Sequence, residues 1–160
     1  MKRKTKAGSA IPAPGEGKRG AEGHLGYLMR QAHAALRGAM EKALADLDVT
    51  PPQFAVLTMV VNYPGISGAE LARLTFLTPQ TINVIVRNLV RAELVGKTAD
   101  AVHGRILQLH ATPRGEALLK RCRARVMAVE GRLLALLDRD DEQVVRRWLV
   151  DVGNKLSGEG

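Results

Sequence analysis

Residues 67–91 read SGAELARLTFLTPQTINVIVRNLVR, and the fold turns on how this run divides. Ser67 followed three residues later by Glu70 is the sequence form of a capping box. In it the hydroxyl and the carboxylate each accept a backbone N–H at a helix start. A short helix with Leu71, Ala72 and Leu74 inside is expected to follow, with a break at Thr75 to Leu77. Thr78-Pro79 then sets a capping hydroxyl before a proline, whose missing N–H is no loss at the first helical position. The next helix is expected to run to about Ala92. At about 100° per residue, with Gln80 at zero, Asn83, Val84 and Arg87 fall within roughly 60° of it. Ile82, Ile85, Val86 and Leu89 centre near roughly 190°. One face is aliphatic. The other carries Gln, Asn, Val and Arg, with none of the Lys or Glu usual on a merely solvated face.

Beyond this run, Leu94–Thr98 and Arg105–Ala111 read as two short strands around a polar tip, Ala99–Gly104. Two helices with a short break and then a hairpin is the order of a winged helix-turn-helix. The outward residues suit base edges. Gln80 and Asn83 match adenine N6 and N7, Arg87 matches guanine O6 and N7, and Val84 matches a thymine methyl. Thr78 and Pro79 stand at the helix N-terminus, where backbone N–H groups favour a phosphate. Arg105 at the wing tip suits a narrow minor groove. The plain alternatives are an amphipathic helix with a solvated face and an exposed turn arginine.

Outside the reading unit the chain stays helical. Leu25, Leu28, Ala32, Leu36, Met40, Leu44 and Leu47 recur at helical spacing, and Asp48 to Thr50 interrupt them. Thr50-Pro51-Pro52-Gln53 is a second capping box, and Phe54, Leu57, Val60 and Val61 give its helix an apolar face. Tyr63-Pro64-Gly65 stops that helix. Thr112-Pro113 repeats the Thr-Pro cap and opens a helix expected to reach about Leu137. Leu119, Cys122, Val126, Val129, Leu133 and Leu136 form a heptad seam along it. Asp138 to Glu142 place acidic groups at the next helix start, and Val145, Trp148, Leu149, Val152 and Leu156 line the last helix. These surplus apolar faces serve either to cover one core or to pair two chains.

The first 21 residues hold six Lys and Arg against Glu16 alone, among scattered Gly and Pro. They read as a disordered basic tail, either solvated or an arm on DNA phosphates. The tail supplies most of the net charge of +8.

The runs Gly65–Ala72, Leu77–Asn83, His103–Leu107 and Thr112–Gly115, in that order, resemble the MarR family of bacterial transcriptional regulators over about residues 25–155. The resemblance implies a mainly α fold with a small two-stranded β wing, that is, a winged helix-turn-helix with flanking dimerisation helices. It implies boundaries at 1–21 for the tail, 22–48 for an N-terminal dimerisation helix, 49–111 for the DNA-binding domain and 112–160 for C-terminal dimerisation helices. By position Gln80, Asn83, Val84, Arg87 and Arg105 match the family's DNA contacts, although His103-Gly104 replaces the usual middle of the wing tip. The expected function is a sequence-specific DNA-binding regulator: a homodimeric repressor on a pseudo-palindromic operator, released by a small anionic or phenolic effector. An architectural DNA-binding protein without ligand control is the alternative. The resemblance further implies an effector site among the first, second and fifth helices, for which Tyr27, Arg30, His33, Arg37 and Tyr63 are the candidates.

Other classes find less support. With 160 residues, 46% hydrophobic and 3% aromatic, the chain has an aliphatic core to fill and no run long enough to span a membrane. The basic N-terminus lacks the apolar stretch of a secretory signal, so a cytoplasmic location is expected. His24, His33, His103 and His110 show no metal-ligand spacing, and no nucleophile, phosphate loop or carboxylate pair stands out. Neither an enzyme nor a cofactor is expected. Cys122 lies between Arg121 and Arg123, which favour a thiolate, but its place on the seam suits a small hydrophobe.

Overall fold

The computed structural model describes residues 11–99 and 107–157. The chain divides into two compact units, residues 1–38 and 39–160.

Of the disordered tail expected to residue 21, residues 1–10 lie outside the described residues, and residues 13–21 depart from the expectation. Residues 13–23 form successive turns with a 3₁₀ turn at Gly17–Arg19. The Arg19 guanidinium donates to the Pro12 carbonyl at 2.9 Å, and Gln31 donates to the Arg19 carbonyl at 3.3 Å. Two glycines explain how a polar stretch closes on itself. A Cβ at Gly20 would lie 2.2 Å from the Gly15 carbonyl oxygen, and one at Gly23 would lie 2.5 Å from that of Lys18. Local hydrogen bonds, not apolar burial, order this segment. Helix α1, Leu25–Leu44, follows.

In the second unit the end of α1 passes into a 3₁₀ turn, Ala45–Leu47. Then come α2 (Pro51–Asn62), α3 (Gly68–Thr75), α4 (Pro79–Arg91), β1 (Val95–Ala99), β2 (Leu107–Ala111), α5 (Pro113–Leu134) and α6 (Arg139–Ser157). Caps mark the starts where the sequence placed them. Thr50 and Ser67 close full capping boxes with Gln53 and Glu70, and Thr78 and Thr112 accept from Thr81 and Gly115. Asp138 Oδ1 accepts the N–H groups of Asp140 and Asp141 at the start of α6. Each such cap is worth about 1 kcal/mol.

The strands pair antiparallel from Val95↔Ala111 to Ala99↔Leu107. Gly65 and Ile66 bond to Leu109 on the other edge of β2, tying the turn after α2 to the wing. Under the sheet, α2, α3, α4 and α5 share a core of Val56, Leu57, Val60, Ile66, Leu71, Ile82, Ile85, Val86, Leu89, Val95, Leu109 and Leu119. Burying each such side chain contributes about 1.5–3 kcal/mol. A second cluster joins Leu44, Leu47, Val49 and Cys122, flanked by Met40, Phe54, Leu118 and Val126. At Gly115 a Cβ would stand 2.1 Å from the Leu94 carbonyl oxygen, so glycine lets α5 start hard against the wing.

Several expectations need correction. Leu74 lies within α3 but not on its buried face: it is 39% exposed, in the last turn of a helix that ends one residue later. Val56 is fully buried on α2, whereas Phe54 and Val61 are only half-buried. Helix α5 stops at Leu134, not Leu137, since Leu136 and Leu137 bond back three residues and tighten the chain into turns. The seam is therefore buried only through Val129, and Leu136 is 79% exposed.

Candidate nucleic-acid interface

Helix α4 is held by its underside. Ile82, Ile85, Val86 and Leu89 are between 1% and 7% exposed and fix its rotation in the core. That rotation turns the opposite face outward, where Gln80, Asn83, Val84 and Arg87 are all exposed. Gln80, Asn83 and Arg87 make no hydrogen bond or ion pair with any described residue, so their donors and acceptors are free for a ligand. At the N-terminus the Thr78 hydroxyl accepts the Thr81 N–H at 3.2 Å and lies 2.9 Å from the Thr81 hydroxyl. Pro79 occupies the first turn. The remaining N–H groups of that turn, with the positive end of the helix dipole, suit an anion.

The wing flanks this helix. Lys97 is exposed on β1, and His110 Nε2 lies 3.0 Å from the Thr98 hydroxyl across the strands. Arg105 and the rest of the tip, with Asp100, His103 and Gly104, lie outside the described residues. Below the helix start, Glu70 accepts from both the Ser67 N–H and its hydroxyl, and these bonds hold its carboxyl below the ordinary carboxylate value.

A family model described as MarR family matches residues 47–106. The HTH-type transcriptional repressor Rv2887 of Mycobacterium tuberculosis is 40% identical over 130 residues, covering 81% of this chain and 94% of that protein. The chain belongs to the MarR family. The family is one of transcriptional regulators. A crystal structure of Rv2887 with p-aminosalicylic acid aligns with a TM-score of 0.66 at 38% identity, covering 81% of this chain and 98% of the other. One of Rv2887 with DNA aligns with a TM-score of 0.66 at 37% identity and the same coverage. The transcriptional repressor CouR, bound to a 23-mer DNA duplex, aligns with a TM-score of 0.77 at 26% identity, covering 82% of this chain and 94% of that one.

As to an effector site, Tyr27, Arg30, His33 and Arg37 lie exposed on one side of α1. Tyr63 lies in the other unit, at the end of α2, in the wall of a shallow cleft of about 430 Å³ with Pro64, Glu70 and Arg73. A separate cleft of about 450 Å³ escapes the sequence reading. Leu47, Val49, Leu57, Leu89, Leu94 and Leu118 give it apolar walls, and Gln53, Asn88, Arg114 and Arg121 stand at its edge. Arg114 is paired at 3.2 Å with Glu93, while Arg121 has no such partner among the described residues. The two arginines are seven residues apart on α5, two helical turns on one face. That spacing is visible in the sequence, but the cleft opposite them is made by residues far away in the chain.

Cys122 is buried in the second cluster. Burial pushes its thiol pKa up, and the nearby Arg121 only partly opposes this. The thiol therefore stays neutral near pH 7, which fits a packing role. Among the described residues no helix is long and apolar enough to cross a membrane.

Proposed function

We propose that this chain is a cytoplasmic homodimeric repressor that reads a pseudo-palindromic DNA operator with α4 and releases it when a small aromatic acid binds. The observation that carries this reading is the outward face of α4, with Gln80, Asn83 and Arg87 unpaired among the described residues above a fixed aliphatic underside. These groups supply the donors and acceptors that distinguish base pairs in the major groove. The Thr78 hydroxyl and the N–H groups of the first turn that Pro79 opens hold the flanking phosphate, Val84 offers an apolar contact, and Arg105 follows the minor groove from the wing. The role is binding, without catalysis.

The dimer reading is supported by apolar surface that one chain leaves open. Trp148, Leu149 and Leu156 on α6 are all exposed, as are Leu25, Tyr27 and Met29 on α1. Residues 22–48 and 112–160 are assigned to dimerisation, and 49–111 to DNA. Two α4 helices related by a two-fold axis would address half-sites about 10 base pairs apart, or a multiple of that.

The effector reading is supported by the relative's complex with p-aminosalicylic acid and by the Arg114–Arg121 cleft. A carboxylate there can displace Glu93 from Arg114 and engage Arg121, while its ring meets Leu89 and Leu118. Asn88 and Leu89 lie in the last turn of α4 and Ala92 caps it, so an occupant would bias the position of the reading helix. Only a ligand that prefers the DNA-free arrangement shifts that balance.

The experiment selects duplexes from a random pool with the full chain and titrates the winner with and without salicylate. The expected result is an enriched pseudo-palindrome whose affinity falls on adding salicylate, with less response in Arg121→Ala than in Arg30→Ala. Enrichment without any salicylate response would leave a DNA-binding protein without this ligand control. No enriched sequence at all would end the regulator reading.

A further inference from the structure

Phe76 is the residue whose placement the fold does not explain. It ends α3 and is 90% exposed, more than any other large hydrophobic side chain among the described residues. Its φ is +56°, in the left-handed region where glycine or asparagine sits with least strain. Among the described residues the two other non-glycine residues at such angles are polar, Asp48 and Glu93, and Glu93 uses its carboxylate to bind Arg114. Phe76 therefore pays twice, in backbone strain and in exposed apolar surface, for a position that a glycine would fill better.

What lies beside it suggests its partner. Phe76 is two residues before Thr78, the cap of α4, so their Cα atoms are no more than about 7.6 Å apart. The N-terminal end of a recognition helix is the end that meets base edges. A neutral ring cannot pair with phosphates. In the major groove the apolar group that a base pair presents is the C5-methyl of thymine.

We propose that Phe76 is a specificity-determining residue that packs on a thymine methyl group in the major groove, beside the bases addressed by Gln80 and Asn83. This rests on α4 being the DNA reader. A protein partner for the ring is the competing outcome.

The test replaces each thymine of the selected operator in turn by deoxyuridine, which removes only the methyl group, and measures affinity for the wild type, Phe76→Gly and Phe76→Ala. For the wild type, one thymine per half-site should show a loss of about fourfold, the worth of one buried methyl. Both variants should bind the parent operator more weakly and lose sensitivity at that thymine, while any response at a thymine facing Val84 persists. Phe76→Gly should melt no lower than the wild type, since glycine relieves the positive φ. If the deoxyuridine profiles of wild type and variants coincide, the assignment is overturned, and the ring belongs to another partner. That failure is separable from failure of the α4 reading, in which the wild type would show no base-pair preference anywhere.

Discussion

Helices α4 and α6 are both amphipathic, yet one is explained by its own chain and the other is not. The aliphatic side of α4 vanishes into the core, with Ile82 only 1% exposed. The equivalent stripe on α6, Val145, Trp148, Leu149, Val152 and Leu156, covers a similar arc and stays largely open, with Leu156 70% exposed. Periodicity states that a face will be buried, not which chain will bury it. For α4 the facing helices α2 and α3 and the wing provide the answer. For α6 the proposed answer is a second copy, and Leu133 and Leu136, the outer end of the seam, are likewise exposed.

The largest effect should come from breaking the α6 side of this contrast. Trp148→Asp with Leu149→Asp should give a monomer by sedimentation. Losing the linkage between two half-sites should weaken operator binding by about 10²–10⁴-fold. A double variant that stays dimeric and binds normally would show that this stripe is not where the copies meet.

On the α4 side, Ile82→Ala should cost about 2–5 kcal/mol of stability in denaturant unfolding, as for other buried aliphatic truncations. It should do so without changing the oligomeric state at low denaturant. A loss below about 0.5 kcal/mol, the range of surface changes, would mean that α4 is not locked by its underside, and the contrast with α6 would dissolve.

A smaller effect tests the cap that starts α3 beside α4. Glu70 is stabilised as a carboxylate by Ser67, so its folded pKa lies below the ordinary 4.5. A depressed folded pKa gives stability that is present above that ordinary value and is lost as pH falls through the folded one. The stability margin of the wild type over Glu70→Gln should therefore be widest near neutral pH and shrink in acid. A margin independent of pH would mean that the Glu70 charge does not support the cap.

Much of this was legible because it is local. Thr50, Ser67, Thr78 and Thr112 announce helix starts through hydrogen bonds spanning three residues, and all four caps form. The split of α4 into Ile82, Ile85, Val86 and Leu89 against Gln80, Asn83, Val84 and Arg87 follows from helical spacing alone. What failed to show depends on contacts distant in sequence or on backbone geometry that composition hides. Val56 is buried because the elements packed around α2 leave it no outlet. Leu74, in the last turn of α3, is exposed where the chain leaves the helix. The 3₁₀ turn at Gly17–Arg19 arises from glycines that composition reads as disorder. The cleft beside Arg114 and Arg121 exists only once residues 47–57 and 88–94 are brought together. Phe76 looked like one more apolar residue in a break until its left-handed backbone set it outside.

The proposed role of this chain depends on whether the exposed face of α4 reads bases. The direct measurement is the affinity of Arg87→Ala for the selected operator and for a panel of its single-base variants, alongside thermal melting. The predicted result is a loss of about 1–3 kcal/mol on the parent operator, relaxed preference at one base pair per half-site, and an unchanged melting temperature. Wild-type affinity and selectivity across the whole panel would contradict it, and α4 would not be the reader.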